Sequence, residues 1–285
     1  MEDLDLIIII TDSLAIKFIY SENAKQNSVV QMRIEDVKKI GVLGLGTMGS
    51  GIAQVCATYG YQVIGRDVSE EILQRAKDTI INGRFGLKAG LERGKITKEQ
   101  YEQAIRNLTF TTSMEELCKD VDIIIECVPE ILTLKIKVFK EMDALCPERT
   151  ILASNTSGYS ITALAGATNR PDRVIGMHWF NPAPVMRLIE VVRTEWTSEE
   201  TVNCIKSLAE RLGKTPIVIK DAPEAYGFVA NRAYMALVRE CRAIVEAGIA
   251  TPEQVDTALK LGYGFPMGPF ELFGLVGRLG REEKR

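Results

Sequence analysis

Histidine is almost absent from this sequence, and its cysteines form no close pairs. The chain has a single histidine, His178, and six cysteines without any Cys-x-x-Cys spacing. One imidazole cannot build a His-rich metal site, and widely spaced thiols indicate neither a zinc site nor a disulfide framework. We therefore expect reduced cysteines, a cytoplasmic location and no bound metal.

The sequence also lacks an excess of basic charge and a long apolar run. Its 35 Lys and Arg against 38 Asp and Glu give a formal net charge of −3, so the overall charge predicts neither a nucleic acid nor an anionic membrane as partner. The aliphatic residues 7–10 are too few to span a bilayer, and the acidic start is wrong for a secretory signal. The 285 residues, 46% of them hydrophobic, instead suit a globular protein of two domains.

From residue 39 onward, short β-branched runs alternate with amphipathic helical stretches. This alternation predicts an α/β fold with a parallel, doubly wound sheet of the Rossmann type. The predicted strands are 39–43, 62–64, 108–111, 123–128, 150–153, 174–176, 188–192 and 216–219, with helices near 48–59, 70–87, 134–146 and 199–212.

Beyond Asp221 the pattern becomes helical only, with apolar residues at the 3.6-residue period between Tyr234 and Val245. We therefore divide the chain into a nucleotide-binding domain at 32–221 and a smaller helical domain at 222–285. Residues 1–31 have no periodic apolar pattern and fit neither domain. We interpret them as an extension outside the fold.

A glycine-rich turn follows the first predicted strand and opens a helix. Its G-x-G-x-x-G pattern allows a tight turn, close backbone approach to a diphosphate, and close packing of helix on strand. Asp67 follows at the end of the second strand, where a carboxylate bonds the ribose hydroxyls of NAD. The residues of the predicted cofactor turn are Gly44, Leu45, Gly46, Thr47, Met48 and Gly49.

Two alternatives to NAD stay open at this point. A carboxylate at Asp67 repels the 2′-phosphate of NADP, but the neighbouring Arg66 could accept that phosphate. A glycine turn can also occur without any ligand.

The lone histidine comes at the end of a predicted strand, where ligands of open α/β sheets bind. Glu190 follows twelve residues later, inside an otherwise apolar strand, and a buried carboxylate there needs a partner. A His178–Glu190 pair could remove a proton from a substrate hydroxyl, with Glu190 orienting the ring. A structural histidine is the alternative.

Five separate motifs together resemble the L-3-hydroxyacyl-CoA dehydrogenase family, in particular its short 3-hydroxybutyryl-CoA type. The resemblance runs from about residue 32 to residue 277. Its motifs are GLGTMGSGIA at 44–53, ECVPE at 126–130, SNTS at 154–157, MHWFNPAPV at 177–185 and PMGPFEL at 266–272.

This resemblance implies NAD as cofactor and an L-3-hydroxyacyl-CoA of short chain as substrate, in fatty-acid or butyrate-type metabolism. It makes His178 the general base with Glu190 as partner, and it assigns Ser157 and Asn231 to the reacting part of the substrate. It also assigns Glu130, Lys135 and Asn181 to the nicotinamide half of NAD, and it gives Ser157 a part in binding the cofactor as well as the substrate.

The resemblance further implies a CoA site and a homodimer formed through the helical domain. CoA carries phosphates, and basic residues cluster after the second strand at Arg84, Lys88, Arg93 and Lys95. The family often has Ser and Lys where this chain has Gly83 and Gly90, so Lys88 is our candidate for the CoA contact. A solvated helix face is the alternative for this cluster.

Two departures from the family stand out. Glu224, Ala225 and Tyr226 lengthen the segment before Asn231. The family also usually continues for some tens of residues beyond Gly277, which implies an incomplete helical domain here.

Two rival functions stay open: a non-catalytic NAD-binding protein like the related lens crystallin, and a dehydrogenase of the hydroxyisobutyrate type. The latter uses a catalytic lysine, and its glycine-rich motifs are absent from this sequence.

Overall fold

A computed structural model describes residues 32–274 of the chain. The expected extension at 1–31 and the expected ending beyond Gly277 therefore lie outside the described residues. The chain separates into two compact units, which meet in sequence between Tyr226 and Gly227.

The first unit is built on an eight-stranded sheet with the order β3-β2-β1-β4-β5-β6-β7-β8. The central strands are apolar and buried on both faces, as expected where helices cover a parallel sheet on each side. The strands are β1 (Lys39–Leu43), β2 (Gln62–Arg66), β3 (Leu108–Thr111), β4 (Ile123–Glu126), β5 (Ile151–Ser154), β6 (Val174–Trp179), β7 (Leu188–Arg193) and β8 (Thr215–Lys220).

Eight helices of the described residues belong to this unit, and several begin at a Ser or Thr whose hydroxyl accepts a backbone N–H of the first turn. They are α1 (Thr47–Thr58), α2 (Glu70–Asn82), α3 (Leu87–Glu92), α4 (Lys98–Asn107), α5 (Met114–Cys118), α6 (Leu132–Leu145), α7 (Ile161–Ala165) and α8 (Glu199–Arg211).

The second unit contains α9 (Val229–Glu246) and α10 (Pro252–Tyr263), and helical residues resume at 269–274. A capping box of Thr251 and Gln254 starts α10. Asp256 in the same helix accepts the backbone N–H groups of Phe270 and Glu271, which ties the last described helical turn to α10.

The predicted fold class is confirmed, since a mainly parallel Rossmann-type sheet precedes a helical region. One part of the prediction is wrong, because β6 and β7 pair antiparallel and the sheet is therefore mixed. The predicted helix at 70–87 is also wrong: it ends at Asn82, and α3 begins separately at Leu87.

Candidate active site

The glycine turn between β1 and α1 needs two of its glycines for steric reasons. Gly44 has a φ of +91°, and a Cβ there would lie 2.7 Å from the Cys127 carbonyl oxygen. A Cβ on Gly49 would overlap the Gly44 carbonyl oxygen. Gly46 differs, because a Cβ there would meet no atom within 4 Å. The turn is therefore tightly packed at Gly44 and Gly49, whereas the space next to Gly46 is open.

The open space lies at the N-terminus of α1. This helix begins at Thr47 without a side-chain cap and without an acidic residue in its first turn. Within α1, the Ser50 hydroxyl donates to the Leu45 carbonyl at 2.8 Å and holds the glycine turn against the helix. An uncapped helix N-terminus beside open space suits the diphosphate of a dinucleotide.

Asp67 lies against this turn. One of its carboxylate oxygens accepts the Leu45 N–H at 2.6 Å, and the other accepts the Val68 N–H at 2.7 Å. The neighbouring Arg66 instead donates from Nε to the Thr112 carbonyl at 3.2 Å. The carboxylate therefore belongs to the turn, while the Arg66 guanidinium is engaged with the chain after β3.

His178 and Glu190 face each other across β6 and β7, in direct register. Their Nδ1 and Oε2 atoms are 2.7 Å apart, and the two residues are only 3% and 0% exposed. The sequence places His178 just past a strand ending at residue 176, which is wrong: β6 continues to Trp179 and includes the histidine. The antiparallel pairing brings the two side chains together.

This geometry fixes the chemistry open to the imidazole. When Nδ1 donates its proton to the Glu190 carboxylate, Nε2 is the ring nitrogen that can accept a proton from a substrate. The carboxylate also stabilises the imidazolium that results.

A second buried charge cluster lies where β4 ends and α6 begins. Lys135 Nζ is 2.8 Å from Glu126 Oε1 and 3.1 Å from Glu130 Oε2. Burial lowers the pKa of Lys135, but the charges and hydrogen bonds of Glu126 and Glu130 outweigh it and hold this pKa above its usual value. The lysine is therefore a fixed cation between two carboxylates.

Glu126 anchors this cluster, and the sequence reasoning did not assign it a role. Its carboxylate is fully buried and also accepts the Ser154 hydroxyl and the Val128 N–H, both at 2.7 Å. A carboxylate at the end of an isoleucine strand was the available signal, because such a group requires a buried partner.

Glu130 joins the cluster to the loop after β5. Its Oε1 accepts the Ser157 N–H at 2.9 Å and the Thr156 hydroxyl at 2.5 Å. The extra segment before the second unit ends with Tyr226, whose hydroxyl donates to the same carboxylate at 3.4 Å. Of the predicted residues, the structure thus brings together Glu130, Lys135 and Ser157.

Three predicted residues lie outside these clusters. Asn181 is exposed two residues after the end of β6. Lys88 is exposed on α3, and its side chain takes part in no hydrogen bond or ion pair within residues 32–274. Asn231 is the third residue of α9 and belongs to the second unit.

Within the described part of the chain, no group of His, Cys, Asp or Glu could hold a metal ion. All six cysteines are free thiols. None of the helices in residues 32–274 is long and apolar enough to cross a membrane.

Comparison with known families matches nearly all of the described chain. Residues 39–222 match the 3-hydroxyacyl-CoA dehydrogenase NAD binding domain, and residues 227–282 match the 3-hydroxyacyl-CoA dehydrogenase C-terminal domain. The chain belongs to the 3-hydroxyacyl-CoA dehydrogenase family. Its cofactor is therefore NAD, and it is an NAD-dependent dehydrogenase by family.

Individual relatives agree with this membership. The chain is 42% identical to a "probable 3-hydroxybutyryl-CoA dehydrogenase" of Bacillus subtilis over 85% of this chain and 82% of the relative. It is 41% identical to the mitochondrial hydroxyacyl-coenzyme A dehydrogenase of Sus scrofa, over 85% of this chain and 76% of that one.

A solved 3-hydroxybutyryl-CoA dehydrogenase from Escherichia coli K12 has a similar fold, with a TM-score of 0.79 at 41% identity. The match covers 84% of this chain and 49% of that one, so the chain spans about half the length of that structure. Neither the crystallin-like nor the hydroxyisobutyrate-type alternative is favoured by these relatives.

The turn at Gly44, Gly46 and Gly49 fits the dinucleotide of this family. The open space above Gly46, the uncapped start of α1 and the adjacent Asp67 carboxylate are the features that an NAD site requires.

Proposed function

We propose that this 3-hydroxyacyl-CoA dehydrogenase oxidises a short-chain L-3-hydroxyacyl-CoA, such as 3-hydroxybutyryl-CoA, to the 3-oxoacyl-CoA, or catalyses the reverse. The observation that carries the proposal is the buried His178–Glu190 pair, 2.7 Å between Nδ1 and Oε2, on the sheet that also carries the NAD turn. The names of the Bacillus subtilis and Escherichia coli relatives support the short acyl chain. Fatty-acid or butyrate-type metabolism is the corresponding setting.

His178 acts as the general base in the oxidation. Its Nε2 accepts the proton of the substrate 3-hydroxyl, while Glu190 holds Nδ1 protonated and stabilises the imidazolium. Bound NAD supplies the hydride acceptor when the substrate carbon is oxidised. In the reverse direction, the imidazolium returns the proton to the oxygen of the 3-oxo group.

Asp67 sets the preference for NAD over NADP. Its carboxylate, held against the glycine turn by the Leu45 N–H, bonds the adenosine ribose and repels a 2′-phosphate. Arg66 is engaged with the Thr112 carbonyl, which leaves Asp67 to decide the preference.

Glu130, Lys135 and Asn181 bind the nicotinamide half of NAD in this proposal. Glu126 supports the first two, because its buried carboxylate holds the Lys135 ammonium in place. Ser157 lies in the same cluster through its N–H bond to Glu130 and contributes to both the nicotinamide side and the substrate. The role of Asn231 at the substrate rests on the resemblance.

The wider organisation follows the same resemblance. Residues 32–221 bind NAD, and residues 222–285 contribute to acyl-CoA binding and form a homodimer. Lys88, exposed on α3, contacts a CoA phosphate. The free thiols support a reducing location such as the cytoplasm.

One assay tests the proposal. NADH oxidation is followed with acetoacetyl-CoA, with free acetoacetate, and with NADPH in place of NADH. We expect rapid turnover only with the CoA thioester and NADH. NADH binding without any turnover would indicate a non-catalytic relative. Equal rates with free acetoacetate would show that the enzyme does not require the CoA part of the substrate.

A further inference from the structure

Lys214 lies far from the glycine turn in sequence but reaches the segment that follows the histidine strand. It stands in the tight turn between α8 and β8, directly after Gly213, whose φ is +71°. Its ammonium donates to the Ala183 carbonyl at 2.6 Å and to the Met186 carbonyl at 2.8 Å. Both carbonyls belong to the β6–β7 segment, defined here as residues 180–187.

The same segment also packs against the nucleotide-binding helix. Ala183 is 2% exposed, and a Cβ added to Gly51 of α1 would lie 3.1 Å from the Ala183 Cβ and 3.2 Å from the Pro184 Cδ. The β6–β7 segment is therefore held both by packing on α1 and by the Lys214 ammonium. Asn181, the residue proposed to contact the nicotinamide, belongs to this segment.

Partial burial of the Lys214 ammonium costs free energy, because the charged group loses contact with water. It lies 5.4 Å from the centre of the Trp179 ring, and it forms no ion pair within residues 32–274. Burial lowers its pKa to about 8, against a small opposing effect of the Cys56 thiol on α1. Its hydrogen bonds to two carbonyls offset that cost, since bonds from a charged donor are stronger than neutral ones.

From these contacts we propose that Lys214 is a positioning residue: it fixes the β6–β7 segment against α1 and so holds Asn181 in the orientation that binds the nicotinamide. The proposal rests on the proposed function, because the role of Asn181 does. It predicts that loss of Lys214 weakens NADH binding through Asn181 and leaves the acyl-CoA interaction unchanged.

The first experiment replaces the ammonium and separates the two substrates. Lys214→Met keeps a linear aliphatic side chain but removes the charge and the donors, and Lys214→Arg keeps a charged donor. We expect Lys214→Met to raise KM for NADH roughly tenfold, the usual effect of losing a charge-assisted hydrogen bond. KM for acetoacetyl-CoA should stay within about twofold, and Lys214→Arg should recover part of the loss.

Lys206→Met is the matched control. Lys206 is exposed on the neighbouring helix α8 and pairs only loosely with Glu210, at 3.9 Å, so its removal should change neither KM. If Lys214→Met does not fold, Lys214→Leu, which also lacks a donor, takes its place with the same expectations.

A double-variant cycle decides whether Lys214 acts through Asn181. We expect Asn181→Ala combined with Lys214→Met to bind NADH no more weakly than Asn181→Ala alone, in direct fluorescence titrations. Additive losses, or an unchanged KM for NADH in Lys214→Met, would overturn the proposal. A wild-type chain without NADH oxidation would instead refute the proposed function, and the NADH titrations would still test Lys214.

Discussion

Lys135 and Glu126 form a buried ion pair of 2.8 Å, with side chains only 1% and 0% exposed. Replacing only one member of such a pair strongly lowers the free energy of unfolding, because the remaining charge stays buried without its partner. The cluster therefore links the stability of the first unit to the residues proposed to bind the nicotinamide.

We expect Lys135→Met to lower the free energy of unfolding by about 3–5 kcal/mol, since it leaves the Glu126 carboxylate without its counter-charge. The double variant Lys135→Met with Glu126→Gln should recover part of this loss. Urea unfolding of both variants measures the effect. A loss below about 1 kcal/mol in the single variant would show that the pair carries little stability.

Replacing His178 tests the proposed general base. His178→Gln should lower turnover by about 10²–10⁴-fold, the range expected for a positioned proton-transfer group, and leave NADH binding nearly unchanged. Stopped-flow turnover and NADH fluorescence measure the two properties. The assignment is abandoned if turnover persists within tenfold of the wild type.

The partnership of His178 with Glu190 is tested separately. Because Glu190 acts by holding the imidazole, Glu190→Gln should impair the same step. The double variant with His178→Gln should then be little worse than the poorer single variant. Multiplicative losses would mean that the two residues act independently.

Asp67 is expected to determine the choice of dinucleotide. Asp67→Ser should narrow the preference of kcat/KM for NADH over NADPH, because it removes the carboxylate that repels a 2′-phosphate. The Leu45 N–H also loses its acceptor, so NADH binding itself should weaken. Equal or better turnover with NADPH in the unmodified chain would transfer the assignment to Arg66.

The sequence locates the glycine turn and the adjacent Asp67 because each position depends on local backbone geometry. Gly44 and Gly49 are required by carbonyl oxygens that lie within the turn or beside it. The spacing to Asp67 is set by α1 and β2, the helix and the second strand of a βαβ unit. Local patterns of this kind can be read without knowledge of the tertiary structure.

The contacts that assemble the rest of the site depend on distant pairings. His178 and Glu190 meet because β6 and β7 run antiparallel, which their apolar patterns do not reveal. Lys214 reaches carbonyls 28 and 31 residues earlier in the chain. The short helices α5 and α7 escaped prediction as well, although Ser113 and Ser160 cap them as helix starts usually are.

The buried thiols should lower the free energy of unfolding at alkaline pH. Burial raises the pKa of Cys56 to about 12, although its backbone hydrogen bond and Lys214 oppose the shift. The folded chain therefore keeps a proton that the unfolded thiol releases near its ordinary pKa of 9.0. This contribution to stability is complete below pH 9 and is lost as the pH rises toward 12.

A Cys56→Ala variant isolates that contribution. It should be less stable than the wild type at pH 8, because it leaves a small cavity in the core. Between pH 8 and pH 10.5 the difference should shrink by about 2 kcal/mol, since only the wild type can ionise this thiol on unfolding. Urea unfolding under reducing conditions at pH 8 and pH 10.5 measures it. A difference that stays constant would show that the Cys56 thiol ionises equally in the folded and unfolded chain, which would contradict a pKa raised by burial.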